Sequence, residues 1–164
     1  MILNRQRAVR LARRPLESFL RRAREEVGFQ GAGVTVCLVS DAEIARLNET
    51  FRKKKGPTDV LSFPAVMRRR PRRSAPPARP GRKKRPALEG GPYKRIEAGE
   101  YLGDIAISPA TARRYAKKNG RKLSSELRVL ILHGVLHLLG YDHETDRGQM
   151  DRVERKLRKR LGLA

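Results

Sequence analysis

This 164-residue chain has no tryptophan, a single cysteine and fewer than half as many acidic residues as basic ones. Its one cysteine, Cys37, excludes an internal disulfide framework and any cysteine-rich zinc module, and it fits a reducing compartment. Aromatic residues are 5% of the chain and none is tryptophan, which disfavours a platform that stacks single strands while leaving phosphate-dominated binding open. No apolar run reaches the ~18 residues of a membrane span, and no stretch of about 7–15 apolar residues near the start makes a secretory signal. The first fifteen residues are Arg-rich and acid-free, as in an organelle transit peptide, but they lack its serine and run into patterned sequence. The expected location is therefore the cytoplasm, with no membrane partner.

What the chain has in excess is positive charge. Lys and Arg number 39 against 17 Asp and Glu, a net +22, and a field of that size points to a polyanion, nucleic acid first. The length is that of one domain, expected to span 1–164. Between Arg68 and Arg95 stand twelve of the basic residues, six of the ten prolines and a single acid, Glu89. Such a segment has too few apolar side chains to offset its ordering entropy, so 68–95 reads as a disordered basic insert. It carries +11, and the other +11 belongs to the folded part.

Around the insert the apolar pattern alternates between strands and helices. Residues 2–9 read as an opening strand. Leu16, Phe19, Leu20, Ala23 and Val27 recur at helical steps from Pro15 to Val27, and Gly28 follows as a stop. Val34 to Val39 is a β-branched run. Ser40 then caps a second helix at capping-box spacing from Glu43, with Ile44, Leu47 and Phe51 on its apolar stripe. Val60 to Phe63 is a short strand ended by Pro64, and Leu102 to Ser108 is another. Ser108 and Pro109 open a helix that ends near Asn119 and Gly120. Leu123 to Leu139 is apolar almost all round and reads as a core helix. A last helix, from about Glu144 to Leu161, shows an outer face of Arg and Lys. The fold class is thus α/β (α+β), with about four strands and about five helices.

All three histidines of the chain fall in one eleven-residue window, His133-Gly-Val-Leu-His137-Leu-Leu-Gly140-Tyr-Asp-His143. His133 and His137 are i and i+4, neighbours on one helix face, and Gly140 lets the chain turn back so that His143 approaches the same point. Three imidazoles suit zinc with an open fourth position, where the ion lowers the pKa of water to about 7; nickel, cobalt or iron also accept such ligands. One Zn2+ per chain is expected, and no further Cys or His is available to close the site. Asp142 and Asp146 are candidates either to orient the imidazoles or to cap the turn and helix. The spacing matches the ligand positions of the metzincin peptidases, but Gly134 stands where those enzymes place their general-base Glu. A glycine inside a helix costs about 1 kcal/mol against alanine, so this position needs room, for substrate or a neighbouring strand.

From His133 to His143 the sequence resembles the signature of the YbeY-type rRNA maturation factors, H-G-x-L-H-L-x-G-Y-D-H, at every specified position. Leu47-Asn48 with Phe51-Arg52, Pro57 to Pro64, and Leu102 to Ser108 resemble that family's other blocks. The resemblance implies a single-strand-specific, metal-dependent endoribonuclease of ribosome biogenesis. Its implied tasks are maturation of the 3′ end of small-subunit (16S) rRNA and ribosome quality control, on a fold whose central helix carries the ligands. It singles out Arg52 and His133 as catalytic, and His133, His137 and His143 as ligands. Its implied partners are rRNA and the small ribosomal subunit, including small-subunit ribosomal proteins and a ribosome-associated GTPase. A guanidinium at Arg52 has the chemistry to grip a phosphate and neutralise developing charge. Asp59 and Asp104, in the same blocks, are expected to tie backbone amides at strand ends. Two departures stand out: the 68–95 insert replaces a short connection, and Lys53-Lys54-Lys55-Gly56 stands where an Arg-Gly-Lys-Asp-like stretch is common. The rival readings are a metallopeptidase, opposed by Gly134 and the charge, and a non-catalytic rRNA-binding assembly factor with a structural zinc.

Overall fold

The structure is a computed structural model, and it describes residues 1–28, 33–65, 101–143 and 145–163. The elements run in the order β1 (Ile2–Asn4), α1 (Arg13–Glu26), β2 (Gly33–Leu38), α2 (Asp41–Arg52), β3 (Val60–Pro64), β4 (Tyr101–Ile107), α3 (Pro109–Lys118), α4 (Leu123–Leu138) and α5 (Gln149–Leu161). Four strands form one mixed sheet in the order β1-β2-β4-β3, with β1, β2 and β4 parallel and β3 antiparallel to β4 at an edge. Among the described residues, four strands and five helices agree with the α/β (α+β) expectation. The proposed insert, 68–95, lies outside the described residues. Among those described, no helix is long and apolar enough to cross a membrane.

Alternation along the strands gives the sheet two apolar faces of unequal size. Val34, Val36, Leu38, Ile105 and Ile107 point to the larger core, which they share with α1, α3, α4 and α5. Ala106 and Leu61 point to the other face, where Val39 and Ile44 at α2 complete a small cluster with Cys37, Leu47 and Phe63 partly buried around it. Helix α4 lies in the larger core with Leu127, Ile131, Leu132, Val135 and Leu136 fully enclosed, as its all-round apolar pattern requires. Gly103 is needed where β4 meets β3: its φ is 138°, and a Cβ there would stand 2.1 Å from the Phe63 carbonyl oxygen.

The two serine caps form as expected, Ser40 accepting from the Glu43 amide at 3.2 Å and Ser108 from the Thr111 amide at 3.2 Å. Asp41 joins these two helix starts, accepting from the hydroxyls of Ser108 and Thr111 and pairing with Arg114 at 2.8 Å. Two element bounds differ from expectation by more than two residues. The opening strand stops at Asn4, because the Gln6 side chain folds the next residues into a turn through the Val9 amide and carbonyl, both at 2.9 Å. The last helix begins at Gln149, not near Glu144, because Asp146 accepts from the amides of Gly148, Gln149 and Met150 at 2.8, 3.0 and 2.7 Å and fixes its start there.

Candidate metal centre

His133 and His137 occupy the last turns of α4 and face each other with their Nε2 atoms 3.1 Å apart. After α4 the chain reverses at Gly140, whose φ is 87°, and the Gly140 amide donates to His137 and the Tyr141 amide to Leu136. Tyr141 is buried, which anchors the reversal. His143 then returns to the pair, its ring centroid 5.6 Å from that of His133 and 5.4 Å from that of His137. One ligand atom from each of the three lies within 4.8 Å of the others. The expected convergence is therefore present, with His133 and His137 half-buried and His143 exposed.

A hydrogen bond on the far side of the cluster fixes the chemistry of one imidazole. His133 Nδ1 lies 2.9 Å from Glu154 Oε2 on α5, and the other oxygen of that carboxylate is held by Arg158. Burial alone would raise the Glu154 pKa, but the hydrogen bond and charge of His133, with Arg158, outweigh it and hold the carboxyl below its ordinary range. Ionised Glu154 accepts from Nδ1–H, which leaves Nε2, the atom that faces His137, as the ligand atom of His133. Burial first, then the charges of His133 and His143, push the His137 imidazole down to about 4, with Asp142 acting the other way. His137 is thus neutral near pH 7. Two ring nitrogens 3.1 Å apart need a cation or a proton between them. At zinc–imidazole distances of 2.0–2.1 Å, tetrahedral ligands stand about 3.3 Å apart, so the donor set fits a divalent transition ion.

Glu154 was not legible as a site residue in the sequence. Its signal was weak: an acid on the Met150, Leu157, Leu161 stripe that α5 buries. Of the two aspartates considered for that role, Asp146 caps α5, and the Asp142 carboxylate accepts from Thr145 Oγ1 at 3.1 Å. Asp59 does tie a strand amide, accepting from Val60 at 2.9 Å. Asp104 is exposed and instead accepts from the Tyr101 hydroxyl at 2.6 Å.

Gly134 resolves into a packing requirement. A Cβ there would stand 2.7 Å from Ile105 Cγ2 and 2.9 Å from its Cδ1, so the room it provides is for strand β4. Edge strand β3 packs beside it, with the Ser62 hydroxyl donating to the Gly134 carbonyl at 3.3 Å. Arg52 is outside the histidine cluster, exposed at the last residue of α2. The connection between them is β3, since the Phe51 and Phe63 rings meet edge to face at 5.0 Å on its α2 side. Phe51, expected on the apolar stripe of α2, is 63% exposed. Along the stripe Ile44, Leu47, Phe51, Ile44 and Leu47 belong to the small cluster on the sheet, while Phe51 at the helix end meets Phe63 of β3.

Comparison with known proteins gives consistent results. A family profile described as Endoribonuclease YbeY matches residues 2–162. The chain is similar to a Solibacter usitatus protein named Endoribonuclease YbeY, 42% identical over 158 residues, which is 96% of this chain and 85% of the other. A Koribacter versatilis protein of the same name is 39% identical over 163 residues, covering 99% and 86%. The solution structure of TM1509 from Thermotoga maritima superposes with a TM-score of 0.57 at 26% identity, covering 98% of this chain and 89% of that one.

Proposed function

The chain belongs to the YbeY endoribonuclease family, and from that premise we propose that it is a zinc-dependent, single-strand-specific endoribonuclease that matures the 3′ end of 16S rRNA and acts in ribosome quality control. The observation that carries this reading is the convergence of His133, His137 and His143, with Glu154 fixing the tautomer of His133. These three residues would hold the ion, which supplies Lewis acidity and a nucleophile from water at neutral pH. His137 contributes as a neutral donor because the interior rejects its proton. Glu154, clamped by Arg158, keeps the Nδ1 proton of His133 on the side away from the cluster. Arg52 takes a non-bridging phosphate oxygen and neutralises charge as it grows in the transition state. Gly134 brings no general base, which supports phosphodiester over peptide hydrolysis.

The same proposal assigns the chain to a single domain, 1–164, in which 68–95 adds rRNA affinity, with the small subunit, its proteins and a ribosome-associated GTPase as partners in the cytoplasm. The test is Arg52→Ala, measured for metal content and for cleavage of an unstructured RNA. Cleavage falls and metal stays under this reading; loss of metal overturns the assigned role. Cleavage absent from the wild type even on intact small subunits favours the rival, an assembly factor with a structural zinc.

A further inference from the structure

Phe51 has the makings of a nucleic-acid contact that the histidine site leaves unassigned. It is an aromatic side chain 63% exposed to water on a chain with few aromatics. Burying a phenylalanine is among the larger hydrophobic gains a side chain can make, and this position forgoes most of it. Its ring is nevertheless not loose, because Phe63 of β3 supports it edge to face at 5.0 Å, while 63% of the residue stays open to water. The residues that follow, Arg52, Lys53, Lys54 and Lys55, are all exposed; the exposed acids near them among the described residues are Glu49 on α2 and Asp104, opposite Phe63 on β4. Lys53 ends α2 in the left-handed region at φ 56°, the one described residue other than glycine at positive φ. That reversal ends α2, so the basic run leaves the helix directly after Phe51 and Arg52.

We propose that Phe51 stacks on an unpaired base of single-stranded RNA while Arg52, Lys54 and Lys55 meet the adjoining phosphates. The inference rests on the RNA substrate of the preceding section and deepens it. A π-face accepts any base, so the contact selects strandedness and not sequence. In a duplex both faces of each base are covered by neighbours, so the ring has nothing to stack on. The phosphate contacts remain available to either form. One position of this kind is compatible with the low aromatic content, which argues against a platform of several.

The test uses the full chain with its metal removed by a chelator, so that binding is read without cleavage. The probes are a 12-nucleotide unstructured RNA, the same backbone with abasic sites, and the corresponding duplex. Phe51→Ala weakens the single strand by roughly 5- to 100-fold, leaving duplex affinity and the salt slope unchanged. Phe51→Trp restores binding, and because the chain has no tryptophan its emission reports the stack alone. Quenching by the single strand but not by the abasic backbone is the expected signature. Unchanged affinity in Phe51→Ala overturns the proposal. So does equal quenching by abasic RNA, or a tryptophan already shielded from acrylamide before RNA is added. A melting curve for each variant separates misfolding from lost contact, and Phe51→Trp carries the test if Phe51→Ala does not fold. Cleavage is not used, so a stack that persists in a protein without nuclease activity overturns only the enzymatic reading.

Discussion

On the α4 side of edge strand β3 the histidines are held by packing and by an ionised partner; on its α2 side Phe51 and the basic run stand in water. The first region lies at the end of a helix enclosed on nearly every face, with Glu154 and Arg158 behind it and the buried Tyr141 anchoring its turn. The second follows a helix that overhangs the sheet and ends on a left-handed lysine. The contrast fits a division of labour. A metal site needs donors fixed to fractions of an ångström, whereas contact with a flexible strand needs reach, charge and an uncovered aromatic face.

Substitutions should therefore separate metal from RNA. His137→Ala has the largest expected effect, loss of stoichiometric metal together with cleavage, read by mass spectrometry of the protein and by RNA assay; retention of full metal would break the comparison at once. Next is Glu154→Ala, expected to lower metal affinity about 10–100-fold in chelator competition while single-strand affinity holds. Glu154→Gln keeps an acceptor for Nδ1–H, so it should recover part of that loss.

Gly134→Ala tests the packing behind the site. The clash with Ile105 costs about 1–3 kcal/mol, set against about 1 kcal/mol gained in helix propensity, so urea denaturation should show net destabilisation. In an Ile105→Ala background the same change should turn stabilising, and a sign that does not reverse would mean that Ile105 is not the obstacle. Lys53→Gly probes the open side, relieving the left-handed strain by up to about 1 kcal/mol. Because Lys53 Nζ donates to the Thr50 carbonyl and is not among the phosphate contacts, the salt slope of RNA binding and the metal affinity should both stay the same.

The smallest effect is at the other end of α2. Burial alone would raise the Asp41 carboxyl, but hydrogen bonds from Ser108, Thr111 and Arg114, with the charge of Arg114, hold it below its ordinary 3.8. A carboxylate depressed in the folded state adds stability above its unfolded pKa and loses it as pH falls through the folded one. The stability gap between wild type and Asp41→Asn should accordingly be constant near neutrality and shrink below about pH 4. A gap unchanged between pH 6 and 3 would assign the effect to hydrogen bonding alone.

What the sequence made legible follows the range of the physics involved. The histidine convergence depends on a helix period and one turn, all within eleven residues, and it appears where expected. The helices and their serine caps are likewise set by local pattern. Glu154 depends on where α5 docks against α4, and Phe51 on which strand takes the sheet edge; neither is encoded within a dozen residues. Gly134 announced that space was required, but only the packed strand identifies Ile105 as its occupant. The signal for Phe51 even pointed the wrong way, since its helical stripe continues past the surface that covers its earlier members.

The central claim is that the ion held by His133, His137 and His143 is the one that cleaves RNA. Titrating zinc into metal-free protein while following cleavage of an unstructured RNA and of intact small subunits tests it directly. Activity that rises linearly and breaks at one equivalent per chain, and that His137→Ala fails to recover, is the predicted result. One equivalent bound tightly with no cleavage of either substrate would contradict it.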